Sequence, residues 1–134
     1  MISGVKSSDV PRVWPAVVDQ IKRVTDRYDA GYDESHVYER LIQAEQQLWI
    51  AGTDSIEAVI VSEIQIHPLF KVLAVHIVAG THIDAWLDEL VALMASFGKH
   101  HGCKYLESSG RKGWIRKLKS HGLEDHTITI RKAL

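Results

Sequence analysis

The stretch 71-KVLAVHIVAGTHIDAWLDELVALMASFGKHHGCKYLES-108 decides the fold. Its first part, Lys71 to Val78, is apolar at Val72, Leu73, Ala74, Val75, Ile77 and Val78, which predicts a strand buried on both faces. From Ile83 to Phe97 the side chains Ile83, Trp86, Leu87, Leu90, Val91, Met94 and Phe97 recur along one helical stripe. Thr81 with Asp84 offers a capping box at the start of that helix, and Gly98 or Gly102 can end it. Lys104 to Ser108 then reads as a second strand. Strand, helix and strand in series, with short connections, predict a right-handed β-α-β unit whose strands are parallel.

Upstream, Ile56 to Ile66 is rich in β-branched residues and follows the turn cluster Gly52-Thr53-Asp54-Ser55, so it pairs with the apolar run Gln47 to Ala51 as an antiparallel hairpin. His67-Pro68 turns the chain again. Before the hairpin, Val13, Trp14, Val17, Val18, Ile21 and Val24 predict a helix from near Trp14 to about Tyr28, with Pro15 tolerated in its first turn. Gly31 breaks it, and Asp33 can cap a second helix carrying Val37, Tyr38, Leu41 and Ile42 toward Ala44. Downstream, Trp114, Ile115 and Leu118 mark a short amphipathic helix ending at Gly122. His126 to Arg131 alternates through Ile128 and Ile130 as a closing strand. The expected order is α-α-β-β-β-α-β-α-β, an α/β fold with a mixed, mainly antiparallel sheet flanked by helices.

With 134 residues and 15.1 kDa, the chain is expected to form one domain over 1–134. Hydrophobic residues at 46% and charged residues at 25% exclude a disordered or collagen-like chain. The lone Cys103 excludes an internal disulfide, and no apolar run has the length of a signal peptide or a membrane span, so a soluble, cytoplasmic protein is expected. A net charge of -1 counts against a dedicated nucleic-acid binder. That balance conceals a polarity: Asp26, Asp29, Asp33, Glu34, Glu39 and Glu45 make the early helices acidic, whereas Arg111, Lys112, Arg116, Lys117 and Lys119 form a basic segment. The first suits a cationic partner and the second an anionic one, and each reads equally as a solvated face.

The order of elements from Trp14 to Lys132 resembles the GNAT superfamily of N-acetyltransferases. The segment Gly113-Trp114-Ile115-Arg116-Lys117-Leu118-Lys119-Ser120-His121-Gly122-Leu123 resembles the late helix of that family and its terminal Gly-Phe, with Leu123 in the Phe position. The run Gly110-Arg111-Lys112-Gly113-Trp114 and the small size resemble compact GNAT-like proteins of tailed bacteriophages. The resemblance implies transfer of acetyl from acetyl-CoA to a primary amine, in a bacterial host cytoplasm. It also leaves room for a non-enzymatic module that contacts phage structural proteins in a virion. It implies a cleft where the strand ending near Val78 splays from the strand starting at Lys104, with the pantetheine arm lying there like an added strand. The loop Val78-Ala79-Gly80-Thr81-His82 would then hold the cofactor's pyrophosphate at the helix start, with Arg111 and Arg116 as further cofactor-binding cations. This loop has one glycine, Gly80, where the family spaces several; Asp84 and Asp88 put carboxylates in the first helical turns, and Leu118 stands where the family often carries a proton-donating Tyr.

Two residues are candidate catalytic groups. Glu63 lies on the central hairpin strand, where the resemblance implies a carboxylate that accepts the substrate ammonium proton directly or through water, and it reads also as an outward strand residue. His76 interrupts an apolar strand and can act as base, or serve as a hydrogen-bonded core histidine. Glu107, Ser108 and Ser109 end the later strand at the implied cleft, as ligands or as a plain strand-to-turn transition. His100-His101 with Cys103 lacks metal-site spacing, because adjacent histidines point apart, and no metal site is expected.

Overall fold

Two apolar helical stripes seek opposite faces of one sheet, and the chain is organised around that burial. The computed structural model describes residues 1–134. Its elements are β1 (Ile2–Val5), α1 (Val10–Tyr28), α2 (Glu34–Ile42), β2 (Gln47–Ala51), β3 (Ala58–Ile66), β4 (Lys71–Gly80), α3 (Ile83–His100), β5 (Cys103–Ser108) and α4 (Lys112–Lys119). The sheet runs β1-β2-β3-β4-β5, with only the β4–β5 pair parallel. On one face α1 and α2 bury Val17, Ile21, Val37 and Leu41 against Leu48, Val59, Val61 and Ile77. On the other, α3 and α4 bury Trp86, Leu90, Met94 and Leu118 against Trp49, Ile60, Leu73 and Val75. Each of these large apolar side chains contributes roughly 1.5–3 kcal/mol by leaving water. No helix is long and apolar enough to cross a membrane.

The assignment of β4 residues to the two faces contains the decisive irregularity. Leu73, Val75 and Ile77 are two apart and would share one face of a regular strand. Instead Leu73 and Val75 join the α3 face while Ile77 joins the α1 face. The cause is a bulge: Val61 lies opposite Ile77 and Ser62 opposite Val75, leaving His76 as the extra residue. Pairing with β5 ends at the same place, Val75 opposite Ser108, so β4 runs on from His76 to Gly80 with no strand at that edge.

Several sequence expectations change. Helix α1 starts at Val10, not near Trp14, because Pro11 fills its first turn; the exposed Pro15 one turn later forfeits one backbone bond on the solvent side. Strand β1 is unforeseen and pairs along β2, with the Ile2 N–H donating to Glu89 on α3 at 2.7 Å. The Thr81–Asp84 cap does not form: the Thr81 N–H is held by the Glu57 carbonyl, and His82, in the left-handed region at φ 57°, begins the helix instead. Gly102, at φ 76°, follows the end of α3. His126 to Arg131 forms no strand, since Ile128 and Ile130 meet neither the sheet nor the core and stay 90% and 92% exposed.

Gly80 meets a steric demand. At φ 144° a Cβ there would sit 2.2 Å from the Glu57 carbonyl oxygen and 2.5 Å from the Ala58 Cα, both backbone atoms. Gly80→Ala is therefore expected to cost about 3 kcal/mol of folding stability by urea denaturation, whereas Gly113→Ala, with open space at its Cβ, leaves stability within about 0.5 kcal/mol.

Candidate active site

The bulge joins the two catalytic candidates. Glu63 lies opposite Ala74 on the α1 face, and the bulged His76 comes beside it, with His76 Nε2 3.0 Å from Glu63 Oε1. Both side chains are about three-quarters buried. Helix α2 and the turn after it add the rest: Arg40 lies on α2, and its carbonyl accepts the N–H groups of Glu45 and Gln46, a tight turn that brings Gln46 to β3. Gln46 Nε2 donates to Glu63 Oε1 at 3.0 Å, and an Arg40 guanidinium nitrogen lies 3.6 Å from the same oxygen. Gln46 is only 6% exposed, and its Oε1 has no donor. A buried acceptor without a partner is costly, so this oxygen is poised for an N–H or a water.

Tyr32 joins this cluster to the surface. Burial holds its hydroxyl above the usual range, with Arg40 pulling it down and Glu63 pushing it up, so the ring stays a neutral phenol at pH 7. It also lines an open depression of about 270 Å³ with Thr25, Asp29, Asp33 and His36 at the α1–α2 turn. Asp33 caps α2, accepting from the Ser35 and His36 N–H groups at 2.9 and 3.3 Å, and the Ser35 hydroxyl chiefly lowers its carboxyl below the usual range. Sequence reasoning missed Tyr32, Arg40 and Gln46, because nothing local to each marks convergence on Glu63.

The expected cofactor residues divide. Val78, Ala79 and Gly80 form the last residues of β4, beyond its pairing with β5, and Thr81 and His82 make the turn into α3. Arg111 stands just before α4 and Arg116 on it. Arg111 precedes α4 with its guanidinium 5.9 Å from the Tyr28 ring centroid, and Arg116 makes no ion pair. The cation at the start of α3 is Lys117, paired with Asp84, while His121 Nε2 meets the Asp88 carboxylate. The two acids that would repel an anion are thus matched by α4.

Beside the end of β5, the Ser108 hydroxyl donates to the Val75 carbonyl at 2.9 Å and accepts from Trp114 Nε1 at 3.1 Å. Trp114, Leu118 and Leu123 pack against Val75, Leu90 and Met94 around a cavity of about 20 Å³, room for one water. Trp114 therefore holds Ser108 at the end of β5, which pairs with β4 up to that residue and ends there instead of splaying from it. His100 and His101 do not point apart as expected, since their rings meet edge to face at 5.1 Å at the end of α3. No three His, Cys, Asp or Glu side chains are grouped to hold a metal.

No family model and no curated protein sequence matches this chain. Solved structures do. It superposes on an aminoglycoside acetyltransferase from an uncultured soil metagenomic sample with a TM-score of 0.71 at 14% identity, over 100% of this chain and 95% of that one. A ribosomal-protein-alanine N-acetyltransferase from Brucella melitensis biovar Abortus 2308 gives 0.70 at 11% identity, over 100% and 99%. Glucosamine-6-phosphate N-acetyltransferase from Arabidopsis thaliana gives 0.70 at 14%, over 99% and 97%. The fold is that of the GNAT acetyltransferases.

His121 gives the α3–α4 contact a pH dependence. Its Nδ1 lies 3.0 Å from the Lys117 carbonyl and its Nε2 faces Asp88, so both ring nitrogens meet acceptors and the imidazolium fits best. The Lys117 carbonyl first and Asp88 second raise its pKa above the ordinary 6.5. This contribution is complete below that value and is lost as pH rises through the raised one. NMR titration should give His121 a midpoint above 6.5, and Asp88→Asn should lower it; an unchanged midpoint in the variant contradicts the pairing.

Proposed function

We propose that this chain is an N-acetyltransferase that moves acetyl from acetyl-CoA to a primary amine, with Glu63 and His76 as its catalytic pair. The observation that carries this reading is the coincidence at one point of β4: the bulge presents His76 to Glu63 just where β5 ends. The free edge of β4 from His76 to Gly80 offers unpaired backbone groups, which fit the two amides of a pantetheine arm as they would fit a strand. Val78 and Ala79 would hold that arm. Thr81, His82 and the first N–H groups of α3 would hold the pyrophosphate, with Lys117 as the nearby cation. When bound, acetyl-CoA supplies the activated acetyl thioester.

The chain's own residues bind and deprotonate the amine. The open depression bearing Asp29 and Asp33 favours a cationic acceptor, and Tyr32 on its wall feels the charge of Glu63. Gln46 Nε2, donating to Glu63 Oε1, holds the carboxylate that faces the amine. His76, held by Glu63, takes the proton that must leave before the amine can attack. Leu118 is buried and cannot protonate a departing thiolate, so that proton comes from water or from His76.

A second reading rests on the packing beside Ser108. Trp114, Leu118 and Leu123 fill the space at the end of β5, down to about 20 Å³, as in a fold kept for packing in a non-enzymatic interaction module, such as one in a phage particle. Calorimetry separates the two. Acetyl-CoA is expected to bind with a micromolar dissociation constant, and His76→Ala and Glu63→Gln should each lower kcat for a diamine acceptor about 100-fold with little change in KM for acetyl-CoA. A folded protein that takes up no acetyl-CoA at millimolar concentration leaves the second reading standing.

A further inference from the structure

Residues 124–134 are held by charge and little else. All of them are exposed, and no backbone hydrogen bond ties any of them. The segment is fastened at two points. Near its start, Lys119 on α4 donates to the Asp125 carboxylate at 2.7 Å. Near its end, Arg131 donates to the Asp29 carbonyl at 2.9 Å, and the same guanidinium nitrogen lies 3.6 Å from the Asp29 carboxylate. Between these anchors Ile128 and Ile130 stand in solvent.

The second anchor falls on the rim of the candidate site. Asp29 ends α1 in the left-handed region at φ 45°, and no backbone N–H reaches its carbonyl. It also lines the depression at the α1–α2 turn. Of the two acids there, Asp33 is already engaged, since its carboxylate caps α2 by accepting from the Ser35 and His36 N–H groups and from the Ser35 hydroxyl. The Asp29 carboxylate is 96% exposed, and its one cationic partner is Arg131. Arg111, the other cation nearby, stacks over the preceding Tyr28 ring and forms no ion pair. An ammonium drawn to this depression therefore meets an acid that a guanidinium of the same chain already neutralises.

We propose that Arg131 is a tethered competitor for the cationic acceptor, and that residues 124–134 form an autoinhibitory strap which the acceptor displaces from Asp29. This rests on the reading of the depression as the acceptor site. Guanidinium and ammonium use the same chemistry against the Asp29 carboxylate, a hydrogen-bonding cation on an anion, so each excludes the other there. The contact is exposed on both sides, which suits release: a pair of this kind shifts an equilibrium by roughly twofold to fivefold at low salt, and by less as salt screens it. The strap raises the acceptor concentration that the site needs without closing it.

The diamine putrescine, titrated into the full chain without acetyl-CoA and followed by NMR, tests this. In the unaltered protein its binding should shift the amides of Ala30 and Gly31 and lower the order parameters of residues 129–132 as the strap comes away. Arg131→Ala, at an exposed position, should tighten that binding about threefold at roughly 20 mM salt, with the gain lost near about 0.5 M, and Arg131→Lys should keep most of the inhibition. In turnover assays Arg131→Ala should lower KM for the diamine by the same factor with kcat unchanged. Putrescine that binds at Ala30 and Gly31 no more tightly in Arg131→Ala, or that binds there and leaves 129–132 undisturbed, overturns the strap while the acceptor site stands. Putrescine that binds neither protein removes the acceptor reading of the depression and the strap with it.

Discussion

The molecule turns on one extra residue in β4. Because His76 is bulged between the pairs Val61–Ile77 and Ser62–Val75, the strand changes which face it offers to each core halfway along its length. Val75 then serves the α3 layer and Ile77 the α1 layer, and both cores stay filled. A regular strand would put both side chains under α3 and leave a gap beneath α1, a defect of several kcal/mol in a close-packed interior. The same irregularity delivers a polar ring to Glu63 on a face whose core is otherwise aliphatic. Packing and candidate chemistry thus share one cause.

Around that point, polar groups are arranged in two tiers. On the α1 face, Gln46, Arg40 and His76 all address the carboxylate of Glu63, which cannot be buried so far without such partners. On the α3 face, Lys117 and His121 address Asp84 and Asp88 and fasten α4 across the start of α3. These outer pairs are exposed and each is weak, so α4 is held mainly by Leu118 and Trp114 in the core, with the ion pairs setting its orientation.

Much of this architecture was legible in the residues. The β-branched runs, the stripe from Ile83 to Phe97 and the Asp33 cap give the layers their order, because periodicity reports directly on burial. Glu63 stands out by its place on the central hairpin strand of the family resembled, and His76 as a polar interruption of an apolar strand. Their contact was not legible, since it depends on a register shift that no local pattern encodes. Gln46 and Arg40 were hidden for the same reason: their meeting point is set by a turn that uses one carbonyl twice. Strand β1 was missed because four residues, two of them Ser3 and Gly4, carry too little apolar pattern to declare a strand. The tail erred in the opposite direction, its alternation being real while it pairs with no strand in the structure.

The parallel pairing of β4 with β5 also has a consequence for synthesis. Antiparallel neighbours β2, β3 and β4 can zip as soon as each follows the last, but β5 has to wait for the whole of α3 to be made and folded back. Until the ribosome has released Ser108 and Trp114, β4 has a bare edge along its full length and Leu73 and Val75 lack part of their cover. The nascent chain is therefore most adhesive once α3 has left the exit tunnel and before β5 and α4 follow it.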